Sequence, residues 1–114
     1  MTIEERAIGS VVVLDMSGRL VLGEGDQLLK QRVCSHLEQG NRQVVLNAAK
    51  LSYVDSSGLG VIVSSSLAAR NQGGALRLIN PSSRLHQLLA VAKLLTVVDV
   101  CQSEEEAVKL SLST

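Results

Sequence analysis

The run Asp55-Ser56-Ser57-Gly58-Leu59-Gly60 is where this chain can do chemistry. An apolar stretch precedes it and a stretch of small residues follows, so a strand must end there and a helix begin. Asp55, Ser56 and Ser57 are all residue types that cap the free N–H groups of a helix start. Gly58 and Gly60 leave the first turn uncovered by bulky side chains. A serine hydroxyl is thereby presented at the positive end of a helix. That end accommodates an anion, including a phosphate carried by the serine itself. Taken alone, the six residues also describe an ordinary helix cap. Their surroundings separate the two readings.

Val44-Val45-Leu46-Asn47, followed by Leu51-Ser52-Tyr53-Val54-Asp55-Ser56-Ser57-Gly58-Leu59-Gly60-Val61, resembles the signature of the anti-sigma-factor antagonist family, the stand-alone STAS domains. The resemblance continues through Gly73-Gly74, Leu76-Arg77-Leu78-Ile79-Asn80, Leu94-Leu95 and the acidic helix start Ser103-Glu104-Glu105-Glu106-Ala107, so it runs from about Val11 to Leu110. It implies that the serine directly after the aspartate, Ser56, is the phosphoacceptor, with Ser57 as runner-up. Asp55 would cap the helix and help position the exchange, and Gly58 would let a partner surface come close. The implied partner is an anti-sigma factor that is often itself the serine kinase, and a metal-dependent phosphatase would reset the serine. One stretch departs from the family. Many members carry a Gly-Glu-Leu-Asp pattern where this chain reads Gly18-Arg19-Leu20-Val21, with acids only at Glu24 and Asp26. That change bears on partner choice, and an output other than a sigma factor is compatible with it.

The elements that must hold this run follow from periodicity. Ile3 to Ile8, Val11 to Leu14 and Arg19 to Leu22 suggest an N-terminal antiparallel pair or triplet, broken at Asp15 to Gly18. Leu29, Val33 and Leu37 recur every fourth residue on a helix that Gly40-Asn41 stops. Val44 to Leu46 is a short apolar strand buried on both faces. The helix after Gly58 carries Leu59, Ile62, Val63 and Leu67 on one stripe. Ala75 to Ile79 is the next strand. Asn80 caps and Pro81 opens a further helix with Leu85, Leu88, Leu89 and Ala92 as its buried stripe. Thr96 to Val100 is strand-like, and Ser103 with Glu106 has capping-box spacing before the last helix.

Strands alternating with helices predict an α/β fold: a mixed, mainly parallel sheet with N-terminal antiparallel strands and about four helices. The STAS architecture is the same. In such sheets sites form beyond the carboxyl ends of the parallel strands. Three loops should gather there: Gly23 to Asp26, Leu51 to Gly58, and Asn80 to Arg84. The expected partner surface is therefore Asp55, Ser57, Gly58, Leu59, Glu24, Asp26, Asn80 and Ser82.

Composition narrows the function classes. The 114 residues suit one domain with a single core, which the resemblance implies is a STAS domain spanning 1–114. Apolar residues are 46% of the chain and aromatics only 1%, so the core must be aliphatic. The formal charge is zero and neither sign is clustered, which argues against nucleic acid as a partner, as does the lack of aromatic stacking platforms. No stretch is long and apolar enough to span a membrane. Met1 to Arg6 is acidic where a signal peptide is basic, which points to the cytoplasm. Cys34 and Cys101 are expected to be small apolar packing residues. An enzyme is not expected: there is no Gly-x-Ser-x-Gly elbow, no phosphate-binding Gly-x-x-x-x-Gly-Lys loop, and His36 and His86 fall on helices. No cofactor or metal is expected either, because Glu104 to Glu106 at a helix start complements the helix dipole. The chain would act as a monomer or weak dimer. The alternative function is a STAS subunit or scaffold of a transport or signalling complex, working without a sigma factor.

Overall fold

The computed structural model describes residues 1–113. Its elements are β1 (Thr2–Ile8), β2 (Val11–Leu20), α1 (Asp26–Glu38), β3 (Gln43–Val54), α2 (Ser56–Asn71), β4 (Ala75–Ile79), α3 (Ser83–Val91), a 3-10 turn at Leu94–Thr96, β5 (Asp99–Cys101) and α4 (Glu104–Leu112). The five strands form one sheet in the order β1-β2-β3-β4-β5. β1 pairs antiparallel with β2, and every later pairing is parallel. This is the mixed, mainly parallel α/β sheet that the alternation of patterns predicts.

The sheet is covered unequally. Leu29, Val33 and Leu37 of α1, Ile62 and Ala69 of α2, and Leu85 and Leu89 of α3 pack with Leu14, Leu46 and Leu78 in the larger core. Ala107 of α4 joins Val11, Val13, Val45 and Ile79 in a smaller cluster. Adjacent strand residues such as Val13 and Leu14 fall into different clusters, as the period-2 alternation of a strand requires. Both clusters are free of aromatic side chains, so packing rests on aliphatic area alone.

Several elements differ from the sequence expectation. Asp15 to Gly18 does not break the N-terminal strand. β2 runs through it with register shifts at Asp15/Ser17 and Gly18/Arg19, and Gly18 takes φ +101° at the second shift. At both shifts the extra residue lies on β3, so β2 stays in the ladder through the residues that look like a turn. β3 is longer than Val44 to Leu46 and includes Leu51 to Val54, which pair only with β2. The buried face of α2 is Gly58, Ile62, Ser65, Ser66 and Ala69; Leu67 is exposed. Small residues win that face because α2 lies close to the sheet; Ser66 satisfies its hydroxyl by donating to the Ile62 carbonyl at 2.9 Å. In α3, Leu88 and Ala92 lie outside the buried stripe. The cap of α3 is Ser82, not Asn80: Ser82 Oγ accepts from Leu85 N–H at 3.1 Å. Asn80 stands two residues earlier at φ +55°. The strand expected over Thr96 to Val100 is shorter and later, because Leu94–Thr96 closes into a 3-10 turn first. Cys101 is buried but Cys34 is exposed, so only one cysteine is a packing residue.

Candidate functional site

The site is assembled where β3 hands over to α2. Asp55 is the N-cap of α2, and its Oδ1 accepts from Gly58 N–H at 2.8 Å. Its Oδ2 accepts from Leu22 N–H at 3.0 Å, across from the loop after β2. One carboxylate thus fastens two segments that are 33 residues apart. The N–H groups of Leu22 and then Gly58 stabilise the ionised form and hold the Asp55 carboxyl below the ordinary aspartate value. The backbone N–H of Asp55 donates to the Leu20 carbonyl at 3.3 Å, closing the same junction.

The two serines have different surroundings. Ser56 is exposed on the first residue of α2, and among the described residues nothing holds its hydroxyl. Ser57 donates to Oδ2 of Asp26 at 3.2 Å. Asp26 is 2% exposed, and its Oδ1 accepts from Gly23 N–H at 3.0 Å and Gln27 N–H at 2.8 Å. Asp26 therefore organises the loop before α1 from within and offers almost no surface to a partner, contrary to the expectation for it. Gly58 is also buried: a Cβ there would overlap the Leu20 carbonyl oxygen. What the glycine permits is the close approach of α2 to β2, not that of a partner.

The remaining expected residues divide. Glu24 is exposed on the loop after β2, 4.0 Å from Arg19 Nε. Leu59 is half-buried and packs against the larger core. Ser82 and Arg84 line a cavity of about 40 Å³ with Tyr53, Val54, Leu85 and Leu88. Asn80 is turned elsewhere, donating to Asn47 Oδ1 at 3.1 Å. Beyond it, Asn47 donates to Asp15 at 2.8 Å, and Asp15 is ion-paired with Arg6.

Four residues at this end, Tyr53, Arg19, Arg84 and Leu22, were not in the partner surface expected from the sequence. Tyr53, the only aromatic residue of the chain, is 43% exposed near the end of β3. The guanidinium carbons of Arg19 and Arg84 each lie 5.9 Å from its ring centroid. Leu22 beside Asp55 is 75% exposed. A lone tyrosine in a chain with no other aromatic was the available signal. Among the described residues no group of three or more His, Cys, Asp or Glu side chains is placed to hold a metal ion. No helix of the described chain is long and apolar enough to cross a membrane.

The STAS domain family model matches residues 2–107. The chain belongs to the STAS domain family. Within that family it is 33% identical over 82 residues to the anti-sigma-B factor antagonist of Bacillus subtilis (strain 168), covering 72% of this chain and 74% of that protein. It is 27% identical over 104 residues to the anti-sigma F factor antagonist of Paenibacillus polymyxa, covering 85% and 83%. The fold is that of the Bacillus cell fate determinant SpoIIAA, solved in two forms. The unphosphorylated form superposes with a TM-score of 0.76 at 18% identity over 98% of each chain. The phosphorylated form superposes with a TM-score of 0.75 at 22% identity, over 95% of this chain and 97% of that one.

Proposed function

We propose that this STAS domain is an anti-sigma factor antagonist switched by phosphorylation of Ser56. The observation that carries the proposal is the contrast between the two serines: Ser56 is exposed and uncommitted, while Ser57 is tied to buried Asp26. Unphosphorylated, Ser56 is small and neutral, and the surface around it binds an anti-sigma factor that is also its kinase. Binding removes that factor from its sigma factor. A metal-dependent serine phosphatase restores the binding form. The whole chain acts as one domain in the cytoplasm, as a monomer or weak dimer, and performs no catalysis itself. Its last residue, Thr114, lies outside the described residues.

The switch follows from charge. Phosphorylation adds about −1.5 to −2 charge and three acceptor oxygens. Asp55, the adjacent residue, already carries a carboxylate whose oxygens accept from the N–H groups of Leu22 and Gly58. A phosphate beside it is tolerated at a solvent-exposed helix start but not in the middle of a docked interface. An unpaired charge buried there costs about 2–5 kcal/mol, or roughly 30-fold to several-thousand-fold in affinity.

The test is calorimetry with the purified cognate anti-sigma factor. Ser56→Asp is expected to lose affinity within that range at an unchanged far-UV spectrum, and Ser56→Ala to bind as wild type does. Equal binding by Ser56→Asp would remove the phosphorylation switch and favour a STAS scaffold that works without one.

A further inference from the structure

Beside the Ser56 turn lies a basic, part-apolar patch that the switch itself does not use. Tyr53 stands three residues before Ser56, a separation the backbone spans in roughly 10 Å at most. Arg19 is the register partner of Tyr53 across β2 and β3. Arg84, on the first turn of α3, reaches the same ring. Arg84 has no ion-pair partner among the described residues. Arg19 has only Glu24 at the 4.0 Å limit, with both side chains well exposed. Such a pair adds little. Leu88, exposed, lines the same small cavity as Tyr53 and Arg84 and extends the patch with apolar area.

A tyrosine with two arginines against its ring is the composition of an interface hot spot. It is not needed for the core: the ring and both guanidinium groups are exposed, and neither Tyr53 nor either arginine belongs to the buried clusters. Both guanidinium groups lie 5.9 Å from one ring, and a guanidinium is more weakly hydrated than a lysine ammonium, so a carboxylate meeting them displaces less tightly held water than it would at isolated lysines.

We infer that Arg19, Tyr53 and Arg84 form a second half of the docking surface, which recognises an acidic face on the protein that engages the Ser56 turn. The inference rests on the function proposed above. It adds that partner choice is set by charge: an anti-sigma factor with a basic face at this position is rejected, because like charges would meet.

The test uses the full chain and, as probe, the purified anti-sigma factor that wild type binds and Ser56→Asp does not. Arg19→Glu/Arg84→Glu is expected to weaken binding at least 30-fold at 150 mM salt. The neutral pair Arg19→Gln/Arg84→Gln should weaken it about 5–10-fold and flatten its salt dependence. Tyr53→Ala should weaken it without changing the salt slope. Unchanged affinity in the folded Gln pair would overturn the patch and leave the switch standing. Failure to find any partner that Ser56→Asp loses would overturn both. Displacement of the probe from wild type by 5 mM inorganic phosphate, with the Gln pair insensitive to it, would assign the arginines to a small anion and overturn the protein-docking role.

Discussion

The hydroxyl of Ser57 donates to Oδ2 of Asp26 at 3.2 Å, linking the start of α2 to the start of α1 beneath the surface that Ser56 occupies. Adjacent serines of identical chemistry are made unequal by this one contact. A kinase must take up a hydroxyl in line with a phosphoryl donor, and Ser57 can do so only by giving up its bond to Oδ2 of buried Asp26, which leaves that carboxylate held by the Gly23 and Gln27 N–H groups alone.

Phosphate incorporation by the cognate kinase should therefore be confined to Ser56. Replacing Asp26 by Ala should release Ser57, and a measurable fraction of phosphate should then appear there. Peptide mapping by mass spectrometry reads both outcomes. Phosphate on Ser57 in the wild-type chain would reverse the assignment of acceptor and positioning residue.

Much of this arrangement was visible in the amino-acid order. A helix cap among Asp55, Ser56 and Ser57, Ser103 as cap with Glu106 at the third helical position, and the sequence of strands and helices all follow from local rules with a local physical cause, and the family resemblance singled out Asp55 among the three. What escaped was set by partners distant in sequence. Asp26 reads as a surface acid beside three loop residues, yet Ser57, 31 positions away, draws it inward. Gly58 reads as a gap for a visitor, yet the Leu20 carbonyl fills the space. Asn80 followed by Pro81 reads as a cap and a first turn, but Asn80 bonds Asn47 instead and the helix starts later at Ser83. The Tyr53 cluster draws on β2, β3 and α3 together, which no window of sequence contains.

The two glycines of the motif should respond oppositely to alanine. At Gly58 the new Cβ collides with backbone, which cannot rotate away, so Gly58→Ala should destabilise by about 1–3 kcal/mol, as overpacking does. At Gly60 a Cβ meets nothing within 4 Å, and the position is in a helix. Gly60→Ala should stabilise by about 0.5–1 kcal/mol. Urea midpoints of the two variants check this directly. A neutral Gly58→Ala would mean that α2 can draw back from β2 without cost.

The aliphatic core makes a second stability prediction. Leu46 of β3 and Ile62 of α2 are both fully buried in the larger cluster. Leu46→Ala and Ile62→Ala should each cost about 2–5 kcal/mol, because no neighbouring aromatic ring can shift to fill the void. Leu112 is 54% exposed, and Leu112→Ala should cost much less. Equal midpoints for the three variants would contradict the two-cluster packing.

Burial and charge give the two cysteines different reactivities. Desolvation, followed by the negative charges of Asp99 and Glu106, pushes the Cys101 thiol up to about 11. Cys34 is exposed on α1. Iodoacetamide at pH 8 should modify Cys34 and spare Cys101 in the folded chain, with both modified in denaturant, as intact-mass measurement will show. Equal modification of both in the folded state would mean that the β5 edge opens to solvent.

Asp55 makes the stability of the site depend on pH only in the acid range. Its carboxyl is held below the ordinary aspartate range of about 3.9 by the N–H groups of Leu22 and Gly58, so the folded state binds its proton less readily than the unfolded chain does. The stabilisation from this group is present above the unfolded-state value and lost as pH falls through the lower folded-state value. Carbon-13 titration of the Asp55 carboxyl should give a midpoint below about 3.9, and the amide shifts of Leu22 and Gly58 should move with the same midpoint. Asp55→Asn keeps an oxygen acceptor for the cap and should abolish that transition. A midpoint at or above the ordinary range would show that the two N–H contacts do not persist in solution. Because the cap stays ionised throughout the neutral range, a phosphate on Ser56 always arrives beside a full negative charge, and the phosphate alone sets the sign of the change a partner meets.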